Sequence, residues 1–415
     1  MNILFIDTEK IGVNLDGLIS KGTSGTVSSM LWLAKGLSEY NENNVHVIGL
    51  GDDGDFENVV FTKIQSSNEI FEKVNQINDI DVIIIVGWAA KVALKYDLPG
   101  KVKIYWSHTK TRQFDKLLLD CLKSGALNCI VGVSAFHLGL NLFKMGIKGL
   151  LRKQWILNKL YYVHNPIDLD LAKKARLKVQ KVSNNNKKFI VSFAGYLANY
   201  KGFDHVVRSF RIFNKKFPDS LLHVYGSSNL YGEQYETGKS GVIEKSYEES
   251  NFSDCLYDGN GNVHNSINFF GTLPREDLYL RLVNSDVFIS LGVETFGVSI
   301  LEAQALGLPV ISRKKGGQSE IVINRKTGFL VDMSMKNIVK ALEKVYVMTE
   351  VQRKNMKLNA IANASKFDYK IITKQWMLYL SLIFNYGKCY TLSNYKSSIK
   401  SWSLIGLDMF RPPNY

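Results

Sequence analysis

Glu294 and Glu302 flank a glycine-containing turn in the stretch Ser290-Leu-Gly-Val-Glu-Thr-Phe-Gly-Val-Ser-Ile-Leu-Glu-Ala-Gln-Ala-Leu-Gly-Leu-Pro309. The pattern predicts an apolar strand, a turn, and a short helix closed by Gly307 and Pro309. A helix start offers unpaired backbone N–H groups and the positive end of a dipole, and both suit an anion. Two carboxylates beside such a site make poor phosphate ligands. They fit as acceptors for hydroxyl groups lying next to a phosphate, and a sugar nucleotide carries both.

The elements that must position these residues alternate along the chain. Strands are expected at Ile3–Asp7, Val45–Leu50, Val59–Ile64, Val82–Gly87, Val102–Ser107 and Cys129–Val133, with helices such as Thr26–Glu39 and Gln113–Lys123 between them. The rhythm restarts with a strand at Phe189–Ala194, a helix at Phe203–Phe217, and strands at Leu221–Tyr225, Ile267–Gly271, Val287–Leu291, Pro309–Ser312 and Gly328–Val331. Helices then fill Lys336–Ala364 and Asp368–Phe384. Alternating strands and helices predict parallel, doubly wound α/β sheets that bind ligands beyond the carboxyl ends of their strands. In the loop Lys21-Gly-Thr-Ser-Gly-Thr26, Gly22 and Gly25 let backbone approach a ligand. Lys173 to Lys188 is polar and basic and reads as a linker. Ser227 to Ser266 is polar, glycine-rich and without periodicity, and reads as an insertion.

At 415 residues the chain is too long for one core, so two domains are expected. With 46% hydrophobic and 22% charged residues it has the composition of an ordinary globular protein. The N-terminal run Met-Asn-Ile-Leu-Phe-Ile-Asp7 has no basic region before it and reads as a strand rather than a signal peptide. Ile80–Leu94 is interrupted by Asp81 and Lys91, and Trp376–Phe384 is too short, so neither reads as a membrane span. The four cysteines form no C-x-x-C pair and read as reduced thiols. The histidines are scattered and suggest no metal site. A net charge of +14 implies an anionic partner: nucleic acid, a phospholipid surface or a phosphorylated substrate. Phe136–Tyr162 interleaves apolar residues with lysine and arginine; it fits either an anionic lipid surface or a packing helix with a solvated face.

The run Glu294-Thr-Phe-Gly297, Glu302, Gly307, Pro309-Val310, Gly316-Gly317, Glu320-Ile321 and Gly328-Phe-Leu-Val331 resembles the signature of retaining glycosyltransferase family 4. The resemblance extends, more loosely, from Asn2 to about Phe384 and leaves out the insertion and the tail. It implies the GT-B fold: two Rossmann-like domains facing across a cleft, with a C-terminal helix crossing back to the first. The expected first domain is 1–180, completed by 366–386. The second is 187–365 with the insertion 227–266, and 387–415 is a tail of unassigned role. The family's donor is a nucleotide sugar, such as a UDP- or GDP-sugar, used without a cofactor and usually without a metal.

Carried over residue by residue, the resemblance places Glu294 at the donor sugar and Glu302 at the ribose hydroxyls. Backbone N–H groups of Phe296, Gly297 and Val298 would meet the sugar and diphosphate. Lys201, before Gly202, matches a family lysine, and a fixed ammonium stabilises the charge on a leaving diphosphate. His108, closing Tyr105-Trp-Ser-His108, fits the family histidine that lines the sugar pocket. Gly22 and Gly25 become a backbone cradle for the donor phosphate, and Gly195 opens the loop that carries Lys201. Tyr196 stands where the family often has arginine, so one cationic contact is missing or comes from Arg313, Lys314 or Lys315. The resulting expectation is a sugar transferase of the cytoplasm, peripheral at the inner membrane face, with a glycan or lipid-linked acceptor. Its alternatives are a protein, small-molecule or nucleic-acid acceptor, or a non-catalytic binding protein. A nucleic acid is disfavoured, because no interleaved basic and aromatic recognition module is present.

Overall fold

The computed structural model describes residues 1–7, 15–20, 23–87, 97–108, 116–144, 159–179, 188–230 and 234–386. Two sheets carry the architecture. The first comprises β1 (Asn2–Asp7), β2 (Asn44–Gly49), β3 (Gly54–Phe56), β4 (Val59–Lys63), β5 (Val82–Val86), β6 (Val102–Ser107), β7 (Cys129–Gly132) and β8 (Leu160–Tyr162), in the order β3-β4-β2-β1-β5-β6-β7-β8. All its pairs are parallel except the edge pair β3–β4. The second comprises β9 (Phe189–Ala194), β10 (Ser220–Tyr225), β11 (Ile267–Phe269), β12 (Val287–Ser290), β13 (Val310–Arg313) and β14 (Gly328–Val331), in the order β11-β10-β9-β12-β13-β14 and parallel throughout. Central strands such as β5 and β12 are buried along their whole length, which their unbroken Val/Ile-rich runs require.

In the second sheet the chain steps outward from β9 to β11 and then returns to β12, on the other side of β9. This reversal opens a crevice at the carboxyl ends of β9 and β12, the place where such sheets bind ligands. In the first sheet the corresponding reversal lies between β1 and β5.

The helices among the described residues are α1 (Leu15–Ser20), α2 (Gly25–Ser38), α3 (Ile70–Asn75), α4 (Lys116–Ser124), α5 (Ala135–Lys144), α6 (Leu169–Lys178), α7 (Phe203–Lys216), α8 (Lys245–Asn251), α9 (Ser253–Leu256), α10 (Arg275–Leu282), α11 (Val298–Ala305), α12 (Gln318–Ile321), α13 (Met335–Tyr346), α14 (Glu350–Ala364) and α15 (Tyr369–Tyr386). The last of these crosses back to the first sheet's side. Ile167 pairs with Asp368 where the two connections between domains run side by side. Tyr369 then stacks on Trp32 of α2 with centroids 5.9 Å apart and donates its hydroxyl to Glu39 at 2.7 Å. Further along α15, fully buried Trp376 meets Trp106 of β6 edge-on at 5.1 Å. None of the described helices is long and apolar enough to cross a membrane.

One expectation is corrected. Residues 173–178 of the expected linker belong to the helix Leu169–Lys178, capped by the Asp168 carboxylate, which accepts from Asp170 and Leu171 N–H. Its lysines face solvent while Leu171, Ala172 and Ala175 are buried, so composition hid the apolar stripe. Residues 180–187 lie outside the described residues. The described residues of the expected insertion, 227–266, are folded. Ile243, Tyr247, Phe252 and Leu256 bury against the core around Phe203 and Phe210. The fully buried Glu248 carboxylate accepts from Ser240 N–H at 3.4 Å and from the Ser240 and Tyr257 hydroxyls. Gly238 lies against that carboxylate, where a Cβ would strike it. Of the basic stretch Phe136–Tyr162, residues 145–158 lie outside the described residues, as do Gly22 and the tail 387–415.

The crossing of α2 and α15 is tight at Gly36, where a Cβ would run into the Thr373 hydroxyl. We expect Gly36→Ala to cost roughly 1–3 kcal/mol, the usual penalty of overpacking. A denaturant midpoint equal to that of the parent protein would contradict this packing.

Candidate active site

The loop after β9 and the loop after β12 meet at the crevice. Gly195 leaves β9 with φ 146° and Gly202 closes a short 3-10 turn, Asn199–Lys201, with φ 68°. Gly202 needs both its positive φ and its missing side chain, because a Cβ there would sit 3.0 Å from the Leu291 carbonyl carbon. The reciprocal contact puts Gly292 against the Lys201 backbone. This closeness brings Lys201 Nζ to 2.9 Å from both Glu294 carboxylate oxygens. Both side chains are about a fifth exposed, so the pair opens onto the crevice. Tyr196 is buried and stacks on Tyr200 at 5.8 Å, with Lys201 Nζ 5.8 Å from the Tyr200 ring centre. Where arginine is often expected, an aromatic pair therefore flanks the lysine. Arg313, Lys314 and Lys315 lead into Gly316-Gly317, and Gly317 N–H donates to the Glu294 carbonyl at 2.8 Å. The run thus adjoins the Glu294 turn.

Gln318 fixes that turn from beneath. Its buried side-chain carbonyl accepts from Glu294 N–H at 3.0 Å, and its amide donates to Gly292 carbonyl at 2.6 Å. Gly297, at φ 108°, then starts α11 with no side-chain cap. The start of α11 faces the start of α2: a Cβ on Gly25 would lie 3.3 Å from Val298 Cβ. Phe296 is buried behind the turn. Two helix N-termini thus converge beside Lys201, and their dipole ends and N–H groups favour an anion there.

His108 follows β6 in the first domain, 6% exposed and packed on Trp106 at 4.4 Å. Burial, reinforced by nearby His137, pushes its pKa down to about 3, so the ring stays neutral near pH 7. Its buried Nε2 has no hydrogen-bond partner among the described residues, which costs free energy unless a ligand satisfies it. Its carbonyl accepts the Thr295 hydroxyl at 2.7 Å, so His108 adjoins the Glu294 turn across the domain boundary.

Glu302, the expected ribose acceptor, is 5% exposed and paired with Arg275, itself 7% exposed, through Nη1 and Oε1. It faces the buried contact between α10 and α11 rather than standing open beside Glu294. Four residues that matter to the geometry carried no role in the sequence reading: Gln318, Thr295, Glu320 and Arg275. Glu320 was visible inside the motif. The partners of Gln318 and Arg275 lie 24 and 27 positions away, beyond any local pattern.

The neutral state of His108 makes stability depend on pH. Its folded pKa of about 3 lies below the unfolded 6.5, so between those values the unfolded chain binds the extra proton and stability falls as pH falls. At pH 5 the loss is about 2 kcal/mol relative to neutral pH. We expect His108→Asn to remove that part of the acid sensitivity in a denaturation series from pH 7 to 5; an unchanged slope would contradict it.

Residues 175–363 match the family described as Glycosyl transferases group 1. An uncharacterized glycosyltransferase of Haemophilus influenzae is 27% identical over 200 residues, covering 47% of this chain and 48% of that one. The capsular polysaccharide biosynthesis glycosyltransferase CapM of Staphylococcus aureus is 29% identical over 178 residues, covering 41% and 40%. The chain thus spans about half the length, or less, of these curated relatives. Among solved structures, sucrose-phosphate synthase of Thermosynechococcus elongatus superposes with a TM-score of 0.66 at 17% identity, covering 92% of this chain and 99% of that one. HepE of Anabaena, in complex with UDP-glucose, gives 0.64 at 18% identity over the same shares. With the parallel sheets, the crevice and the crossing helix already described, the chain has the GT-B fold, and its residues 175–363 match the glycosyl transferases group 1 family.

Proposed function

We propose that the protein is a retaining, metal-independent glycosyltransferase that moves a sugar from a nucleoside-diphosphate sugar to a hydroxyl of a glycan or lipid-linked acceptor. The observation that carries this reading is the Lys201–Glu294 pair held at the β9–β12 crevice beside two converging helix starts. The diphosphate sits against the N–H groups of Phe296, Gly297 and Val298 and the backbone near Gly25. Its charge draws Lys201 away from Glu294, and the freed carboxylate accepts the sugar's hydroxyls. As the bond from the anomeric carbon to the leaving oxygen breaks, Lys201 stabilises the charge on the departing diphosphate. In a same-face attack the acceptor oxygen bonds to that carbon and its proton passes to the leaving phosphate, so no protein base is required. Neutral His108 serves as a hydrogen-bond partner of the sugar through its vacant Nε2, not as a cation. Glu302 keeps a ribose role only through the oxygen not bound to Arg275, which orients the carboxylate.

A lipid-linked acceptor at the cytoplasmic membrane face accords with the net charge of +14, since anionic lipid attracts a basic protein. It also accords with the names of two relatives, CapM and a GDP-mannose-dependent phosphatidylinositol monomannoside mannosyltransferase of Mycolicibacterium smegmatis. The mannosyltransferase is named for GDP-mannose and HepE was solved with UDP-glucose, so both guanine and uracil donors are represented among the similar proteins.

Purified protein incubated with a panel of nucleotide sugars should release free nucleoside diphosphate from one of them. Lys201→Ala and Glu294→Ala should each lower that rate by about 100-fold or more while leaving thermal stability nearly unchanged. Release from none of the donors, or undiminished release by both variants, would contradict the reading.

A further inference from the structure

Among the contacts between the second domain and the first, two converge on the Glu294 turn. The first is Thr295, whose hydroxyl donates to the His108 carbonyl and whose own carbonyl accepts the Ser134 hydroxyl. The second is Glu320 on α12. Its carboxylate accepts from the Ala135 and Phe136 N–H groups at 3.1 and 2.7 Å, at the start of α5 in the first domain. It also lies 3.0 Å from His164 Nε2. A carboxylate there satisfies unpaired helix donors and meets the positive dipole end. The His164 ring in turn stacks on Phe296, at 5.4 Å and 30°, inside the turn itself.

The four-residue helix α12 faces both ways. Gln318 at its start grips the backbone of Gly292 and Glu294, and Glu320, two residues on, grips the first domain. Gly317, immediately before it, lies so close to the turn that any Cβ would strike the Thr295 carbonyl. No slack therefore separates the interdomain contact from the backbone that carries Glu294. A displacement of Glu320 is passed directly to that carboxylate.

We propose that Glu320 is a positioning residue for the transfer step, coupling the approach of the first domain to the placement of Glu294. It touches neither substrate nor the reacting atoms. The proposal rests on the sugar-transfer reading above. Ala135, Phe136 and His164, the partners of Glu320 in the first domain, are not among the donor contacts proposed above. Loss of Glu320 should then lower kcat far more than it raises the donor KM, because near-attack geometry is lost while donor contacts stay.

The test combines amide hydrogen exchange, which needs no substrate, with steady-state kinetics on Glu320→Ala and Glu320→Gln. In Glu320→Ala, exchange should quicken at Ala135 and Phe136 and also at Glu294 and Gly317, whose N–H bonds form the turn. In the same variant kcat should fall by about tenfold or more with the donor KM changed by less than about threefold. Glu320→Gln keeps one acceptor oxygen and should be intermediate in both; it also carries the test if the alanine variant does not fold. Faster exchange confined to Ala135 and Phe136, or a KM effect equal to the kcat effect, would overturn the coupling. Should the parent protein release nucleotide from no donor, the sugar-transfer reading fails by itself, and exchange at Glu294 and Gly317 still decides whether Glu320 is linked to the turn.

Discussion

The contact between Lys201 and Glu294 is the constraint on which the site depends. Two loops from adjacent strands must approach backbone to backbone for it to form, and only Gly202 and Gly292 permit that approach. At about one-fifth exposure such a pair stabilises the fold by no more than about 1 kcal/mol. Its value lies in being exchangeable. A lysine and a carboxylate that satisfy each other in the unliganded protein stay desolvated without large cost. In the proposed reaction a diphosphate and a sugar together would offer each of them a replacement partner. Buried Glu302 and Arg275 contrast with this: with both ions withdrawn from water, removing either would strand the other, so that pair holds α10 to α11.

The second domain supplies the charged groups, and the first completes the site around them. His108 brings a neutral ring with a vacant nitrogen. The first-domain groups reach the Glu294 turn through Thr295 and Glu320 alone among the bonds described between these segments. The proposed catalytic face is therefore made by apposition of two sheets, and its geometry is only as good as their docking. The helix α15 serves the same end from the outside, with Trp376 and Tyr369 fastening the crossing chain to β6 and α2.

Much of this was legible in the sequence because its signals are local. Unbroken apolar runs between helical patterns place most of the strands. The glycines at 195, 202, 297 and 316–317 mark where backbone must turn sharply or come close, and Lys201 and Glu294 sit directly beside them. What was not legible depends on long-range pairing. Glu302 stands out by its spacing to Glu294, but its partner Arg275 lies 27 positions away and only the fold reveals it. The insertion looks structureless because its order comes from a single buried carboxylate, Glu248, and four apolar residues at irregular intervals. The helix 169–178 was concealed by lysines on its solvent face. Gln318 and Glu320 are anonymous polar residues until α12 is seen to touch both the turn and the first domain.

The central claim is that Lys201 meets a diphosphate and that Glu294 holds it in reserve until one arrives. Calorimetric titration with UDP and GDP, without the sugar, separates these two roles. The account predicts that Lys201→Ala weakens binding of the preferred nucleotide by about tenfold or more, whereas Glu294→Ala binds it as tightly as the parent protein or tighter, because the competing carboxylate is gone. Equal weakening by both substitutions, or no binding of either nucleotide to the parent protein, would contradict it.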